Sequence, residues 1–446
     1  MPELRPFHGI RYAGPTGLDA GPTELSTKIA PPYDVLDAGP KAALLEKDPH
    51  NIVAIDLPVT PPKTVGPDKA YAEAGDLYRR WLSEGVLIRD DRPGLVVYEQ
   101  AYGSTPAESD RLRRRGVLAV LGVEEFNRPN GGIFRHEMTI AGGVSDRTKL
   151  MEATRAQLSP IFGIYPDAQH ETVALIDEAC DSAEPDRVGT TADGVTHRCW
   201  VVRHKATIKA LKQFFSATDV FIADGHHRYT TALQFAQDHP ELPGADGCLF
   251  MLVAANAPGM MVLPTHRVIC GLQAFSFDAL IEAAEADGRF VVRPWPYVHE
   301  HDLNTPRFRL VDPAYPDDPY WVWLRGEDCT HWEATEMGLG QTDVELPPGP
   351  RAQLDVSVLH DLFIDHILRP RFGGEAVTFK YTADQDEMIR WAGEGTPGTD
   401  DRIGVLLEST DLRDVMAVAR ANEVMPPKST YFYPKLATGL VINPLD

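Results

Sequence analysis

The stretch FIADGHHRYTTAL, residues 221–233, constrains the chain more than any other. Val220, Phe221, Ile222 and Ala223 form a short apolar run suited to a buried strand, and Leu233, Phe235 and Ala236 suggest a helix that packs on the sheet. Gly225 at the junction lets the backbone bend closely around a ligand. The N–H groups of a helix's first turn have no partner inside the helix, and with the macrodipole they favour an anion, most naturally a phosphate. Arg228 adds a forked, permanently charged donor beside them. Gly225, His226, His227 and Arg228 are therefore the candidate nucleotide- or phosphate-binding residues. Two other readings of the same residues stay open: a capped turn in which the histidines satisfy local carbonyls, and a zinc site. No HxxxH or second ligand cluster supports the histidine pair, so no zinc is expected. The chain has no GxxxxGK followed by Ser or Thr, and no GxGxxG after a strand.

The formal net charge of −22 argues against a nucleic-acid groove, which needs clustered Lys and Arg, so no nucleic-acid partner is expected. A small anion could still bind in a local positive pocket. The 446 residues allow two or three domains, and 43% hydrophobic with 24% charged residues is ordinary globular composition. Cys180, Cys199, Cys248, Cys270 and Cys329 lie far apart with no CxxC spacing, which fits reduced thiols. The N-terminus lacks the apolar core of a signal peptide, and no run approaches about 18 apolar residues. A soluble, cytoplasmic protein without a membrane partner is expected; the oligomeric state is not legible.

The spacing predicts a helix within DKAYAEAGDLYRRWLSEGVL, then strands in GLVVYEQAY and RRRGVLAVLGVEEF with a hairpin loop over Gly103–Asp110. The basic run Arg111–Arg115 reads as a solvated strand entry. A helix is expected from about Asp146 until before Pro160, and another from Tyr229. CLFMLVAAN and MMVLPTHRVI read as apolar strands of one sheet. Beyond about residue 275, prolines and acidic residues thicken, and LPPGPRAQLDVSVLHDLFIDHIL reads as a loop feeding an amphipathic helix. The expected division is an N-terminal α/β region (1–125), a core with the His-Glu and Asp-Gly-His-His-Arg motifs (126–275) and a C-terminal α+β region (276–446).

FRHEMT, residues 134–139, is not a zincin motif, because that motif needs a second histidine four residues after the first, where Ile140 stands. Glu137, beside His136 in a glycine-flanked loop, could instead serve as a general base toward a hydroxyl. KSTYFYPK offers Lys428 and Lys435 among hydroxyls, or else a docked terminal strand. APPYDV is a stiff extended loop, and LPTHR is likewise a set of polar groups in a stiff turn.

RPFHGIRY, KIAPPYDV, HEMT with a following DR and SPIFGIY, ADGHHRYTTAL, LPTHR, LDVSVLH and KSTYFYPKLATGL occur in this order. In this the chain resembles the domain-of-unknown-function family ten-fifteen, from Arg5 to Leu440. ADGHHR also resembles the phosphate-binding turn of the ParB/sulfiredoxin-like superfamily. The resemblance implies an α/β (α+β) fold, a ParB/sulfiredoxin-like mixed-sheet core embedded in a larger chain with N-terminal and C-terminal extensions. His226 stands where sulfiredoxins carry their catalytic cysteine, which disfavours sulfinic-acid repair. ParB-type CTPases match only at Gly225 and Arg228. The free serine kinases carry both Asp-Gly-His-His-Arg and an upstream His-Glu, matching Asp224–Arg228 and His136–Glu137 here.

By that resemblance the expected activity is phosphotransfer from ATP or ADP to the hydroxyl of a small metabolite, such as a free amino acid like serine. Glu137 would take the hydroxyl proton with His136 beside it, and Asp224 would assist or hold Mg2+. Gly225, His226, His227 and Arg228 would bind the phosphates. Arg147, Lys428 and Lys435 are auxiliary or substrate-contact candidates. The alternatives are a nucleotide-binding sensor or switch without turnover, and a metal-dependent hydrolase using His136, Glu137, His226 and His227.

Overall fold

Apolar runs separated by turn residues become strands of one mixed sheet in the first part of the chain. The computed structural model describes residues 1–15, 21–103, 112–294, 306–324, 344 and 346–446. It forms two units, one of Met1–Met261 with Phe432–Asp446 and the other of Val262–Tyr431.

In the first unit the sheet strands are β1 (Leu4–Arg5), β2 (Thr23–Glu24), β3 (Leu95–Tyr102), β4 (Leu112–Gly122), β5 (Ile133–Phe134), β6 (Ile161–Tyr165), β7 (Arg187–Thr190), β8 (Thr196–Val202), β9 (Val220–Asp224) and β10 (Gly247–Ala254). Among the described residues they are ordered β2-β7-β8-β3-β4-β10-β6-β9-β5, and β1 pairs with β4. β3, β6 and β10 are buried along their whole length, as expected of strands covered on both faces. Helices α1 (Asp68–Ser83), α2 (Ala141–Thr154) and α3 (His226–Asp238) pack in succession, α1 on α2 and α2 on α3. The buried stripe of α1 is Tyr71, Ala74, Tyr78 and Trp81; of the apolar residues Leu77, Trp81 and Leu82 that mark the helix in the sequence, Trp81 is buried and the two leucines are half-buried.

Both helices nearest the Gly225 turn start earlier than their apolar spacing suggests. α2 begins at Ala141, so Gly142 and Gly143 are helical, and α3 begins at His226. Ala141, Gly142 and Gly143, like His226, His227 and Arg228, carry small or polar side chains, so apolar periodicity does not mark them. The Ile140 N–H donates to His227 Nε2 at 3.0 Å and ties the two helix starts together.

The tail is held by buried arginines. Arg114, fully buried, donates to the Tyr433 carbonyl at 3.0 Å and to the Pro434 carbonyl. Arg187 reaches the Leu440 carbonyl at 2.9 Å, and Gln100 reaches that of Lys435 at 2.9 Å. Ala30 and Thr438 exchange backbone bonds at 3.1 and 2.8 Å. Tail carbonyls taken out of water thus find donors in the sheet.

The second unit carries β11 (His266–Leu272), β12 (Phe290–Pro294), β13 (Phe308–Val311), β14 (Tyr320–Leu324), β15 (Thr378–Thr382) and β16 (Asp401–Leu406). They form an antiparallel sheet in the order β12-β14-β13-β16-β11-β15. Helical turns from Asp355 to Phe372 bury Leu359, Phe363 and Ile367 against it.

The expectation that MMVLPTHRVI joins the sheet of CLFMLVAAN is corrected. β11 pairs with β15 and β16, not with β10, because Pro264 supplies no ladder donor and the chain leaves the first unit there. The three-region division also differs from the two units observed. A break at 125/126 separates β4 from its partner β10, and the change of unit comes at 261/262 rather than near 275. The hairpin loop over Gly103–Asp110 lies almost wholly outside the described residues. Among the described residues no helix is long and apolar enough to cross a membrane.

Candidate functional site

β9 buries Val220, Phe221, Ile222 and Ala223 and surfaces at Asp224. Gly225 then turns the chain at φ 100°, and α3 starts at His226 with no side-chain cap. Arg228 folds back under this turn: it donates to Asp224 Oδ2 at 2.9 Å and to the Pro160 carbonyl. A Cβ on Gly225 would stand 3.0 Å from the Arg228 guanidinium, so glycine serves both the positive φ and the buried arginine. Arg228 is 9% exposed and points inward, while the first-turn N–H groups are left uncapped.

β5 runs parallel to β9, with Ile133 and Phe134 opposite Val220 and Phe221. The stacked Phe134 and Phe221 rings, 5.1 Å apart, fix this register. Both strands therefore deliver their succeeding residues to the same end of the sheet, the usual place for ligands in such sheets. His136 meets His226 edge to face with ring centroids 4.7 Å apart, and Glu137 Oε2 lies 3.9 Å from His226 Nδ1. His136 and His226 are 2% and 4% exposed. Burial pulls both imidazoles down to a pKa of about 3, with the neighbouring His226 adding to the effect on His136. Both are neutral near pH 7. His227 accepts the Ile140 N–H at Nε2, so its proton sits on Nδ1. Burial and then Lys63 lower its pKa.

A second layer supports the turn. Arg147 donates to Asp146 at 2.9 Å, to the Asp56 carbonyl at 2.8 Å and to the Asp56 carboxylate at 3.2 Å. Its guanidinium lies 3.8 Å from the Tyr33 ring centroid, and Tyr71 donates to Asp146 at 2.7 Å. Lys63 pairs with Asp34 at 3.1 Å. The Lys435 ammonium reaches Asp224 Oδ1 at 3.0 Å. Lys428 is exposed and belongs to the other unit. The structure thus gathers His136, Glu137, Asp224–Arg228 and Lys435 at one place, and Arg147 joins a buried network with Asp56 and Asp146.

The family model described as "Protein of unknown function (DUF1015)" matches residues 4–355. The chain belongs to this family. The matched range stops before KSTYFYPKLATGL, which the ordered motifs had included. No curated protein matches the chain. Among solved structures, a free serine kinase variant in complex with AMP is 12% identical with a TM-score of 0.33, over 70% of this chain and 93% of that one. SbnI from Staphylococcus aureus, truncated at its C-terminus, is 11% identical with a TM-score of 0.34, over 71% and 86% of the two chains. A conserved hypothetical protein from Pyrococcus furiosus is 13% identical at 0.32, over 68% and 88%. Scores of this size carry no argument about what this family member does.

Asp34, Asp56, Lys63 and Tyr33 were not singled out from the sequence. For Tyr33 and Asp34 the signal was present in APPYDV, a stiff loop with polar groups; Lys63 and Asp56 had none.

The donor set also bears on a metal. Both Asp224 oxygens already face cations, Lys435 on one and Arg228 on the other. Burial alone would raise this carboxyl, but Lys435 and Arg228 overcome it and hold it below the usual carboxylate range. A carboxylate so paired does not fit a Mg2+ ligand. Among the described residues no group of three or more His, Cys, Asp or Glu could hold a metal ion. The site instead offers an uncapped helix start, two neutral imidazoles and the half-buried Glu137 carboxylate close together. That set can bind an anion and accept a proton.

Proposed function

We propose that the protein is a nucleotide-dependent phosphotransferase acting on a hydroxyl of a small metabolite. The observation that carries this reading is the Glu137 carboxylate, 3.9 Å from His226 Nδ1 and 35% exposed, facing the uncapped start of α3. A phosphate seated on the N–H groups of His226, His227 and Arg228 lies within reach of a hydroxyl held by Glu137. In the step, the terminal phosphoryl group leaves its bridging oxygen and bonds to the acceptor oxygen, while Glu137 takes the acceptor's proton. Catalysis of this kind rests on positioning and charge, with no covalent intermediate.

Arg228 and Lys435 hold Asp224 and thereby the turn, and Lys435 adds positive charge near the phosphates. His136 packs on His226 and fixes its ring. Arg147 braces the layer behind. AMP and ADP, named in the free serine kinase structures, serve as binding probes, with ATP or ADP as donors. The test incubates the protein with labelled ATP or ADP and a panel of hydroxy-amino acids, with Glu137→Gln in parallel. Labelled acceptor is expected with the parent and not with Glu137→Gln. Equal product from both would remove Glu137 from the base role, and no labelled acceptor at all would favour a nucleotide-binding switch.

A further inference from the structure

The second unit holds a cavity of about 270 Å³ that the proposed phosphotransfer does not use. Its floor is Thr265, Arg267 and Leu354, and its mouth carries Glu408, Asp411 and Asp414. LPTHR, LDVSVLH and KST, none of which the phosphotransfer site uses, each supply a lining residue.

Arg267 is 1% exposed. Its guanidinium donates to His360 Nε2 at 2.9 Å, to the Thr265 carbonyl at 2.7 Å and to the Lys428 carbonyl at 3.1 Å. All three partners are neutral, since burial and the Arg267 charge bring His360 to a pKa of about 3. Among the described residues Arg267 makes no ion pair, and burial lowers its own pKa to about 10. A buried cation without an anion is costly, because its charge leaves water with no opposite charge to compensate it. Beside it the Thr265 hydroxyl, in a residue 6% exposed, has no hydrogen-bond partner among the described residues. Arg267 also lies 5.5 Å from the Tyr381 ring centroid, so what it lacks is an anion, and an unmet buried donor next to such a cation is complementary to a carboxylate.

The mouth carries Glu408, Asp411 and Asp414 against the lining Arg307, which pairs with Asp355 at 2.9 Å. Asp411 is engaged by Arg413 at 2.8 Å and Glu408 by Arg309 at 3.2 Å, whereas the exposed Asp414 makes no ion pair among the described residues. A multiply charged anion such as a nucleotide would be repelled there, and the volume lies below the roughly 300–1,000 Å³ of sites for larger ligands. We infer that this cavity binds a small zwitterion of the amino-acid class, its carboxylate on Arg267 and Thr265 and its ammonium toward Asp414.

The test is calorimetric titration of the full chain with each common amino acid, and with acetate and methylamine as single-charge probes. At least one amino acid binds, and both single-charge probes bind at least tenfold more weakly. Thr265→Val and the exposed Asp414→Asn each weaken that binding tenfold or more, and Glu137→Gln leaves it unchanged, which separates this site from the phosphotransfer one. The inference is overturned if no amino acid binds, if acetate binds as tightly, or if Asp414→Asn binds like the parent. Should Thr265→Val unfold, Asp414→Asn decides alone.

Discussion

The Lys435 ammonium lies 3.0 Å from Asp224 Oδ1, so the C-terminal tail supplies a charge to a turn far away in sequence. Lys435→Met should leave a partly buried carboxylate with one cation fewer. A hydrogen bond to a charged group contributes about 1.5–3 kcal/mol, and that is the expected loss in urea unfolding. Lys428→Met, at an exposed position, should stay within about 0.5 kcal/mol of the parent. Equal losses from the two variants would contradict the pairing.

The buried histidines predict a pH dependence. His136 and His226 have folded pKa values near 3, against about 6.5 in an unfolded chain. Protonation therefore favours the unfolded state. Their contribution is complete above about pH 6.5 and is lost as the pH falls toward 3, each adding a slope of up to about 1.4 kcal/mol per pH unit. The melting temperature should drop between about pH 7 and pH 5. His226→Gln should flatten that drop; an unchanged slope would mean His226 is charged in the fold.

Gly143 makes an unusual prediction for a helix. Gly→Ala inside a helix ordinarily stabilises by about 1 kcal/mol. At Gly143 the new Cβ would stand 2.7 Å from His227 Cδ2, so Gly143→Ala should instead destabilise by about 1–3 kcal/mol and shift His227. Gly39, in the helix Ala38–Lys47, has nothing within 4 Å of its Cβ position, and Gly39→Ala is the control expected to stabilise. Paired denaturation curves and the His227 imidazole NMR signals read both effects.

Glu137→Gln keeps the shape of the site and removes the proposed base. Turnover with a hydroxylated acceptor should fall by about 10²–10⁴, while the dissociation constant for ADP changes by less than about twofold. A parallel loss of binding would make Glu137 a ligand contact rather than a base.

Local sequence settled much of this molecule. The strand–glycine–helix at 220–238 was legible because an apolar run, a glycine and a helical stripe are each set by near neighbours. The α1 helix and the strands β3 and β4 were legible for the same reason. The starts of α2 and α3 were not, since first-turn residues carry no apolar period and are held by the Ile140–His227 bond between helices. Nor could Pro264 by itself tell that β11 would pair in a different sheet from β10.

The sequence alone determined that a strand, a glycine turn and a helix follow one another through residues 220–238, because the apolar run, Gly225 and the helical stripe are local facts. Tertiary structure alone decided what that turn faces. The parallel pairing of β5 with β9 brought Glu137 to His226, and the docked tail brought Lys435 to Asp224. It also turned the Arg228 side chain back beneath Gly225 onto Asp224 and the Pro160 carbonyl. Side-chain direction and long-range strand pairing depend on what the whole chain buries, and no window of neighbouring residues contains that.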